Sequence, residues 1–358
     1  MTPDRSLPHT SPLNIGVIGC GYWGPNLVRN FNALNGAQVV RVADLDDERR
    51  THIQDLYPTI EGTQDANEII GDAAIDAVAV ATPVSTHHSI ARKALLSGKH
   101  VFVEKPICET SAQVEELIQI ASERGLTLFV GHTFVYSLAV HKIRDIVASG
   151  ALGDLFYISA RRLNLGLLQR EINVVQDLAP HDLSILNFVL DQEPVAVSAS
   201  GKAHYQPEIE DVAILTLEYP GNLVVYLHFS WLDPKKTREM VFVGSEKMLV
   251  YDDVEAQEKI RLHDKRVVAP SHYDTFGEFM FSYHYGDIHI PWIRGGEPLR
   301  AECQHFLDCV RTGAAPHSGG PEGLRVVRVI EAALQSMRSE GTRVELATLS
   351  PVLDAVQG

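Results

Sequence analysis

Over residues 14–131, short apolar runs alternate with longer stretches whose apolar positions recur at helical spacing. The runs at 15–18, 38–43, 75–81, 100–103 and 127–130 read as strands, and 75–81 is β-branched and apolar on both faces, like a strand buried in a parallel sheet. Between them lie Leu27, Val28, Phe31 and Leu34 at helical spacing, then segments 46–56, 65–70, 89–97 and 111–124, all read as helices. This repeating order predicts a parallel sheet with helices on both faces. After about residue 131 the pattern changes. A helix at 138–149 and a strand at 155–163 precede strands at 213–219, 223–231, 240–243 and 248–251. Pro220-Gly221-Asn222 and Gly244-Ser245-Glu246 read as tight turns between strands, which predicts antiparallel pairing. Two late helices, 299–312 and 322–340, are expected to brace both regions. Along 224–231, Val225, Leu227, Phe229 and Trp231 form one face and Val224, Tyr226, His228 and Ser230 the other. Both faces are partly apolar. Helices covering one side leave the other for a second copy, so a homodimer or homotetramer paired through 195–262 is predicted.

Composition narrows the class. The 358 residues are long enough for two domains with real cores, 45% are hydrophobic and 22% charged. No apolar run approaches the roughly eighteen residues of a membrane span. Residues 1–13 lack the apolar core of a signal peptide and read as a loose tail. Four cysteines without paired spacing argue against a disulfide framework and against zinc, so a cytoplasmic protein without metal is expected. A formal charge of −15 speaks against nucleic acid or an anionic membrane as partner, and an anionic substrate must be held by local cations.

The first strand runs into Gly19-Cys20-Gly21-Tyr22-Trp23-Gly24, a helix follows, and the second strand closes on Asp44. Strand, glycine turn, helix, strand and acid is the order of a dinucleotide-binding unit. Gly19 allows the tight exit from the strand, Gly21 lets backbone amides approach a pyrophosphate, and Gly24 lets the helix lie against the strand. The pyrophosphate is favoured at the helix N-terminus by free N–H groups and the macrodipole. Asp44, about twenty residues further on, can accept hydrogen bonds from the adenosine ribose hydroxyls. It would repel a 2′-phosphate, which favours NAD over NADP unless Arg41, Arg49 or Arg50 folds inward. The expected fold class is therefore α/β, with an N-terminal Rossmann domain (14–131) followed by an α+β domain (132–358) whose open sheet is mostly antiparallel.

Ligands in such sheets bind beyond the carboxyl ends of the strands. Thr82-Pro83, with His87 just after it, and Glu104-Lys105-Pro106 lie at those ends and join the glycine turn as expected cofactor contacts. Lys105 reads as a cation beside the nicotinamide, against the alternative of a solvated surface lysine. A second candidate is Asp177-Leu178-Ala179-Pro180-His181-Asp182. Proline is tolerated in a helix's first turn, so a helix is predicted to begin near Ala179, with Asp177 and His181 about one turn apart. Two readings are open. A neutral His181 held by the carboxylate of Asp177 is a competent general base near pH 7; alternatively Asp177 caps the helix and His181 is a core histidine. Arg161, Arg162 and Asn164, then Gln169, Arg170 and Asn173, suit a phosphorylated or carboxylated sugar, or else are solvated polar positions. The histidines of 282–294 lack metal-ligand spacing, and this run reads as an interface or site-edge loop.

The motifs GCGYWG, ATPVSTHH, EKP and DLAPH, in this order and spacing, resemble the Gfo/Idh/MocA oxidoreductases over nearly the whole chain after the tail. The resemblance implies NAD(P) on the N-terminal domain and oxidation or reduction of a sugar or cyclitol carbon. It implies that Lys105, Asp177 and His181 form the catalytic set, with Gly19, Gly21, Tyr22, Trp23, Gly24, Asp44, Thr82, Pro83, His87 and Glu104 around the cofactor. The segment carrying Arg162, Asn164, Arg170 and Asn173 is similar to a branch that handles nucleotide sugars as 3-dehydrogenases or keto-sugar reductases. A cyclitol dehydrogenase and a non-catalytic dinucleotide-sensing protein are the other functions this family suggests.

Overall fold

The computed structural model describes residues 11–268 and 282–346, so most of the predicted tail lies outside the described residues. The chain divides into two compact units. One holds the described residues up to Tyr136 together with Gly296–Arg328, and the other holds the described residues of Ser137–Gly295 and those from Val329 to 346.

The first unit is built on six parallel strands: β1 (Leu13–Ile18), β2 (Ala37–Ala43), β3 (Glu61–Thr63), β4 (Ala77–Val80), β5 (His100–Glu104) and β6 (Leu128–Gly131). Their order, β3-β2-β1-β4-β5-β6, reverses direction at β1, and such a switch point opens a crevice beyond the strand ends. The connecting helices are α1 (Gly24–Asn32), α2 (Asp47–Leu56), α3 (Ala66–Gly71), α4 (Val84–Leu96) and α5 (Ser111–Arg124). Their ends follow local chemistry. Asp46 caps α2, while α5 starts with a Thr110–Gln113 capping box and stops at left-handed Gly125. Helix α4 starts five residues before the predicted position. Pro83 precedes its first turn and the Pro83 carbonyl accepts from both the Thr86 N–H and the Thr86 hydroxyl, a polar start that apolar periodicity does not reveal. One side of the sheet buries Val78, Val80, Val101, Val103 and Val130 with Leu324 and Val327. On the other, Phe31, Phe102, Phe129 and Phe306 interlock, with Phe102 and Phe306 5.8 Å apart. Phe306 belongs to α8 (Pro298–Thr312), which follows the second sheet in sequence but packs within the first unit.

In the second unit, α6 (Leu138–Ala148) leads to β7 (Leu155–Leu165) and α7 (Val174–Leu190). The strands β8 (Ala196–Lys202), β9 (Val212–Glu218), β10 (Val224–Ser230), β11 (Leu232–Gly244), β12 (Met248–Asp252), β13 (Ile260–Val268) and β14 (Ser282–His289) follow. Helix α9 (Gly320–Arg338) leads to the short edge strand β15 (Val344–Glu345). The sheet runs β14-β13-β12-β11-β7-β10-β9-β8-β15, antiparallel except where β7 meets β10. Alternation sorts its faces: Ile158, Ala160, Val225, Leu227, Phe229 and Phe242 are buried, whereas Tyr157, Ile214 and Tyr226 on the other face are exposed. Two sequence expectations need correction. Residues 282–289 are an edge strand rather than a loop, paired with β13 and tied by His284 to Asp264 at 3.0 Å. Helix α7 begins five residues before Ala179, because Asn173 and Gln176 form a capping box, and Pro180 therefore lies inside it.

Candidate functional site

In the first unit Gly19 and Thr82 follow β1 and β4, while Glu104 closes β5 and Lys105 comes next; the three are neighbouring parallel strands in register. The carboxyl-end edge of the sheet thus gathers the segments expected to meet a dinucleotide. Gly19 has φ +96°, and a Cβ there would come within 2.6 Å of the Ala81 carbonyl. A Cβ on Gly24 would strike the Gly19 carbonyl oxygen, so α1 approaches the turn as closely as a backbone can. Gly21 differs. Among the described residues a Cβ there would meet the Arg49 guanidinium alone, at 3.7 Å, so its missing side chain leaves an open approach to the backbone. Helix α1 has no side-chain cap and no acidic residue in its first turn, which leaves its positive end available to an anion. Tyr22, 84% exposed, and Trp23 meet edge to face beside it.

Asp44 is held from both sides: the Cys20 N–H donates to one carboxylate oxygen at 2.6 Å and the Asp46 N–H to the other at 2.9 Å. Of the three arginines that could have reversed its preference, Arg41 pairs with Glu61 and Asp72, and Arg50 is buried and bonds the Asp44 carbonyl and Asp47. Arg49 lies exposed, 4.0 Å from Asp44 and 3.5 Å from Asp46. These residues fit a dinucleotide: an uncapped helix end, an open glycine and an oriented carboxylate.

His87 takes a different place from the one expected. It is buried, with Nδ1 2.9 Å from the Pro106 carbonyl and Nε2 2.8 Å from the Thr82 carbonyl. Burial lowers its pKa and keeps the ring neutral, so it bridges the loops after β4 and β5 rather than facing a cofactor. Thr82 also accepts from the Thr86 hydroxyl at 2.7 Å, and the Lys105–Pro106 bond is cis. Glu104 is buried, and desolvation raises its pKa to about 7 despite the opposing charge of Lys105.

In the second unit Asp177 occupies the first turn of α7, and His181 follows four residues later on the same face. The indole N–H of Trp231 donates to Asp177 Oδ2 at 3.2 Å. Trp231 is itself fixed, its backbone N–H bonding the Asp211 carbonyl and its carbonyl accepting from Gly166. This tether could not be read from the sequence, since no local spacing links residue 231 to residue 177.

Two of the four expected substrate residues are used elsewhere. Arg162, 5% exposed, donates from Nε (3.0 Å) and Nη2 (2.5 Å) to Asp182 inside the unit. Asn173 caps α7 and donates to Glu210 at 2.8 Å. Asn164 is half-buried near the end of β7 and Arg170 is exposed in the loop that follows. Strand alternation accounts for Arg162, because Ile158, Ala160 and Arg162 all face inward.

This geometry is that of a dinucleotide-binding oxidoreductase. The family model described as "Oxidoreductase family, NAD-binding Rossmann fold" matches residues 13–132, and the GFO/IDH/MocA C-terminal domain model matches 140–250. The chain belongs to the Gfo/Idh/MocA oxidoreductase family. It is 24% identical over 352 residues to a D-apiose dehydrogenase of Paraburkholderia graminis, covering 95% of this chain and 91% of that one. It is 26% identical over 342 residues to the UDP-N-acetylglucosamine 3-dehydrogenase of Acidithiobacillus ferrooxidans, covering 90% and 96%. A crystal structure of that enzyme superposes with a TM-score of 0.73 over 91% of this chain and 97% of that one, at 25% identity. A myo-inositol 2-dehydrogenase of Thermotoga maritima is 22% identical over 338 residues, covering 92% and 97%. Among the described residues no helix is long and apolar enough to cross a membrane.

Proposed function

We propose that the protein transfers a hydride between NAD(H) and a ring carbon bearing a hydroxyl on a sugar, with a nucleotide sugar as the first candidate. The observation that carries this reading is the Asp177–His181 pair, one helical turn apart on α7 and anchored by Trp231. His181 takes or returns the hydroxyl proton, and Asp177 holds the ring and stabilises its charged form. Lys105 stabilises the negative charge that develops on the substrate oxygen. Bound NAD(H) supplies the hydride acceptor or donor. Gly19, Gly21, Tyr22, Trp23, Gly24, Asp44, Thr82 and Pro83 hold it, while His87 and Glu104 support the loops around it.

The full-length likeness to a UDP-N-acetylglucosamine 3-dehydrogenase and the exposed Arg170 support a nucleotide sugar. A second reading, a cyclitol, is favoured by the capture of Arg162 and Asn173 in internal contacts, which leaves fewer groups for a phosphate. The protein also pairs with a second copy through the exposed sheet face carrying Tyr157, Ile214 and Tyr226.

A panel of nucleotide sugars, free sugars and cyclitols, followed by NADH absorbance, tests the reading. Turnover is expected on one class. Lys105→Ala and His181→Ala should each lower it by about 10²–10⁴-fold while NADH binding, read by fluorescence, is retained. Cofactor binding without turnover on any class would instead support the dinucleotide-sensing alternative.

A further inference from the structure

The end of the second sheet that holds Asp177 also holds a turn with no part in the chemistry described so far. Strands β7 and β10 run parallel and end together, Leu163 beside Ser230. Ser230 lies opposite Val212 at the start of β9, and Val212 lies opposite Lys202 at the end of β8. The connection from β8 to β9, residues 203–211, therefore stands at the same sheet end as Trp231. Hydrogen bonds tie it to the segments around the Asp177–His181 pair. The Asp211 carbonyl accepts from the Trp231 N–H at 3.0 Å, and the Trp231 indole reaches Asp177. The Glu210 carbonyl accepts from the Val174 N–H at the start of α7, at 2.9 Å. The Gln206 side chain donates to the Gln169 carbonyl at 2.8 Å, beside Arg170.

Asp211 fixes the turn. Its buried carboxylate accepts from the backbone N–H groups of His204 at 2.7 Å and Tyr205 at 3.1 Å through Oδ2, and Oδ1 lies 2.7 Å from His204 Nδ1. Burial opposes its ionisation, but the His204 ring and the two N–H groups hold its carboxyl below the usual carboxylate range. An ionised carboxylate only accepts, so His204 Nδ1 carries the proton and Nε2 is left as an acceptor. Nε2 makes no hydrogen bond to the described residues. Both rings stay accessible: the His204 side chain is 54% exposed and Tyr205 69% exposed. Two exposed rings on a backbone pinned by a buried carboxylate lose little conformational entropy when a ligand packs on them.

We propose that the His204–Tyr205 turn is the nucleoside-recognition end of the substrate site. The base of a nucleoside diphosphate stacks on Tyr205, a ribose hydroxyl donates to His204 Nε2, and Arg170 meets the diphosphate that links the nucleoside to the reacting sugar. The spacing suits this division. Trp231 follows β10 and His204 follows β8, two strands away, about 10 Å at the usual strand separation. A single sugar or cyclitol ring held at His181 is too short to span it, whereas a diphosphate linkage extends that far. The assignment rests on the nucleotide-sugar reading of this site and names the residues that would impose it.

Calorimetric titration of the full-length protein, saturated with NADH so that the dinucleotide site is filled, tests it without turnover. The probes are UDP, dTDP, GDP and CDP, with inorganic pyrophosphate as the comparison. The wild type is expected to bind at least one nucleotide more tightly than pyrophosphate. Tyr205→Ala should weaken that nucleotide about tenfold or more, the scale of one base stacked on one ring, while Tyr205→Phe retains the affinity. His204→Ala should also weaken the nucleotide and leave pyrophosphate unchanged, and Arg170→Ala should weaken both. A wild type that binds no nucleotide more tightly than pyrophosphate overturns the proposal, whatever the variants do. So does a Tyr205→Ala protein with wild-type nucleotide affinity, or one that loses nucleotide and pyrophosphate equally. Turnover of a free sugar or cyclitol without nucleotide binding overturns this assignment and leaves hydride transfer standing. Nucleotide binding with no turnover on any class leaves the assignment standing and removes the hydride-transfer reading alone.

Discussion

Arg162 and Lys105 are both cations set close to a sequence motif, and burial separates their jobs. Arg162 alternates inward along β7 and meets Asp182 in the interior, while Lys105 follows the end of its strand and stays partly accessible. Removing one partner of a buried ion pair typically costs about 3–5 kcal/mol, whereas replacing both with apolar residues of similar volume is often neutral. Arg162→Met should therefore lower stability in urea unfolding by that order, and Arg162→Met with Asp182→Leu should recover most of it. A substrate-binding arginine would show the opposite pattern, with stability kept and KM raised. The buried Glu104 and His132 make a prediction in pH. Glu104 has a folded pKa of about 7 against 4.5, so between these values the folded state binds more protons and stability falls as pH rises. The loss reaches on the order of 3 kcal/mol above that window. His132 acts oppositely: its folded value of about 3 against 6.5 makes stability fall as pH drops below 6.5. The two nearly cancel between 4.5 and 6.5. Glu104→Gln should unmask the histidine, giving a stability that climbs steadily with pH up to about 6.5 in thermal melts.

At the scale of elements, the glycine turn joins two requirements in one short stretch. Gly24 is needed for packing, since any Cβ would press on the Gly19 carbonyl; at Gly21, among the described residues, a Cβ would make only an ordinary contact with the Arg49 guanidinium, at 3.7 Å. Gly24→Ala is expected to destabilise the fold by about 1–3 kcal/mol as an overpacked contact. Gly21→Ala should leave the melting temperature nearly unchanged and weaken NADH binding by tenfold or more, about 1.4 kcal/mol, in a fluorescence titration. Equal losses of stability in both variants would remove the distinction. Helix α7 shows how a cap overrides a breaker. Pro180 was the natural start signal, yet Asn173 and Gln176, seven and four residues before it, satisfy each other's backbone donors in a capping box. Proline then removes one interior hydrogen bond, and the helix holds because its apolar face is buried through Leu183, Leu186 and Val189. The earlier start puts Asp177 within the first turn instead of ahead of it.

At the scale of the molecule, each unit has its own core, and among the described residues the second unit leaves Tyr157, Ile214 and Tyr226 exposed on one face of its sheet. Tyr157 and Tyr226 stack edge to face across β7 and β10 at 6.4 Å, and Ile214 is 51% exposed on the same face. An apolar patch of this kind on an open sheet is the signature of an interface. Tyr226→Glu with Ile214→Glu should convert a dimer or tetramer into a monomer by light scattering at micromolar concentration. A wild type that is already monomeric there would withdraw the pairing.

The sequence by itself determined what depends on neighbours along the chain. The glycine turn, the β-α repeat, the Glu-Lys-Pro at a strand end and the i, i+4 relation of Asp177 to His181 are local, because strand alternation, helix period and turn geometry are set within a few residues. Whether a polar residue at a given position faces a ligand or the interior was decided elsewhere. His87 bridges two loops, Arg162 meets Asp182, and Trp231 tethers Asp177. Each of these rests on a partner brought close only by the sheet order and by the packing of helices against the sheets. Desolvation, which sets the charge of Glu104 and His132, is a property of everything that surrounds a side chain, and no stretch of sequence contains it.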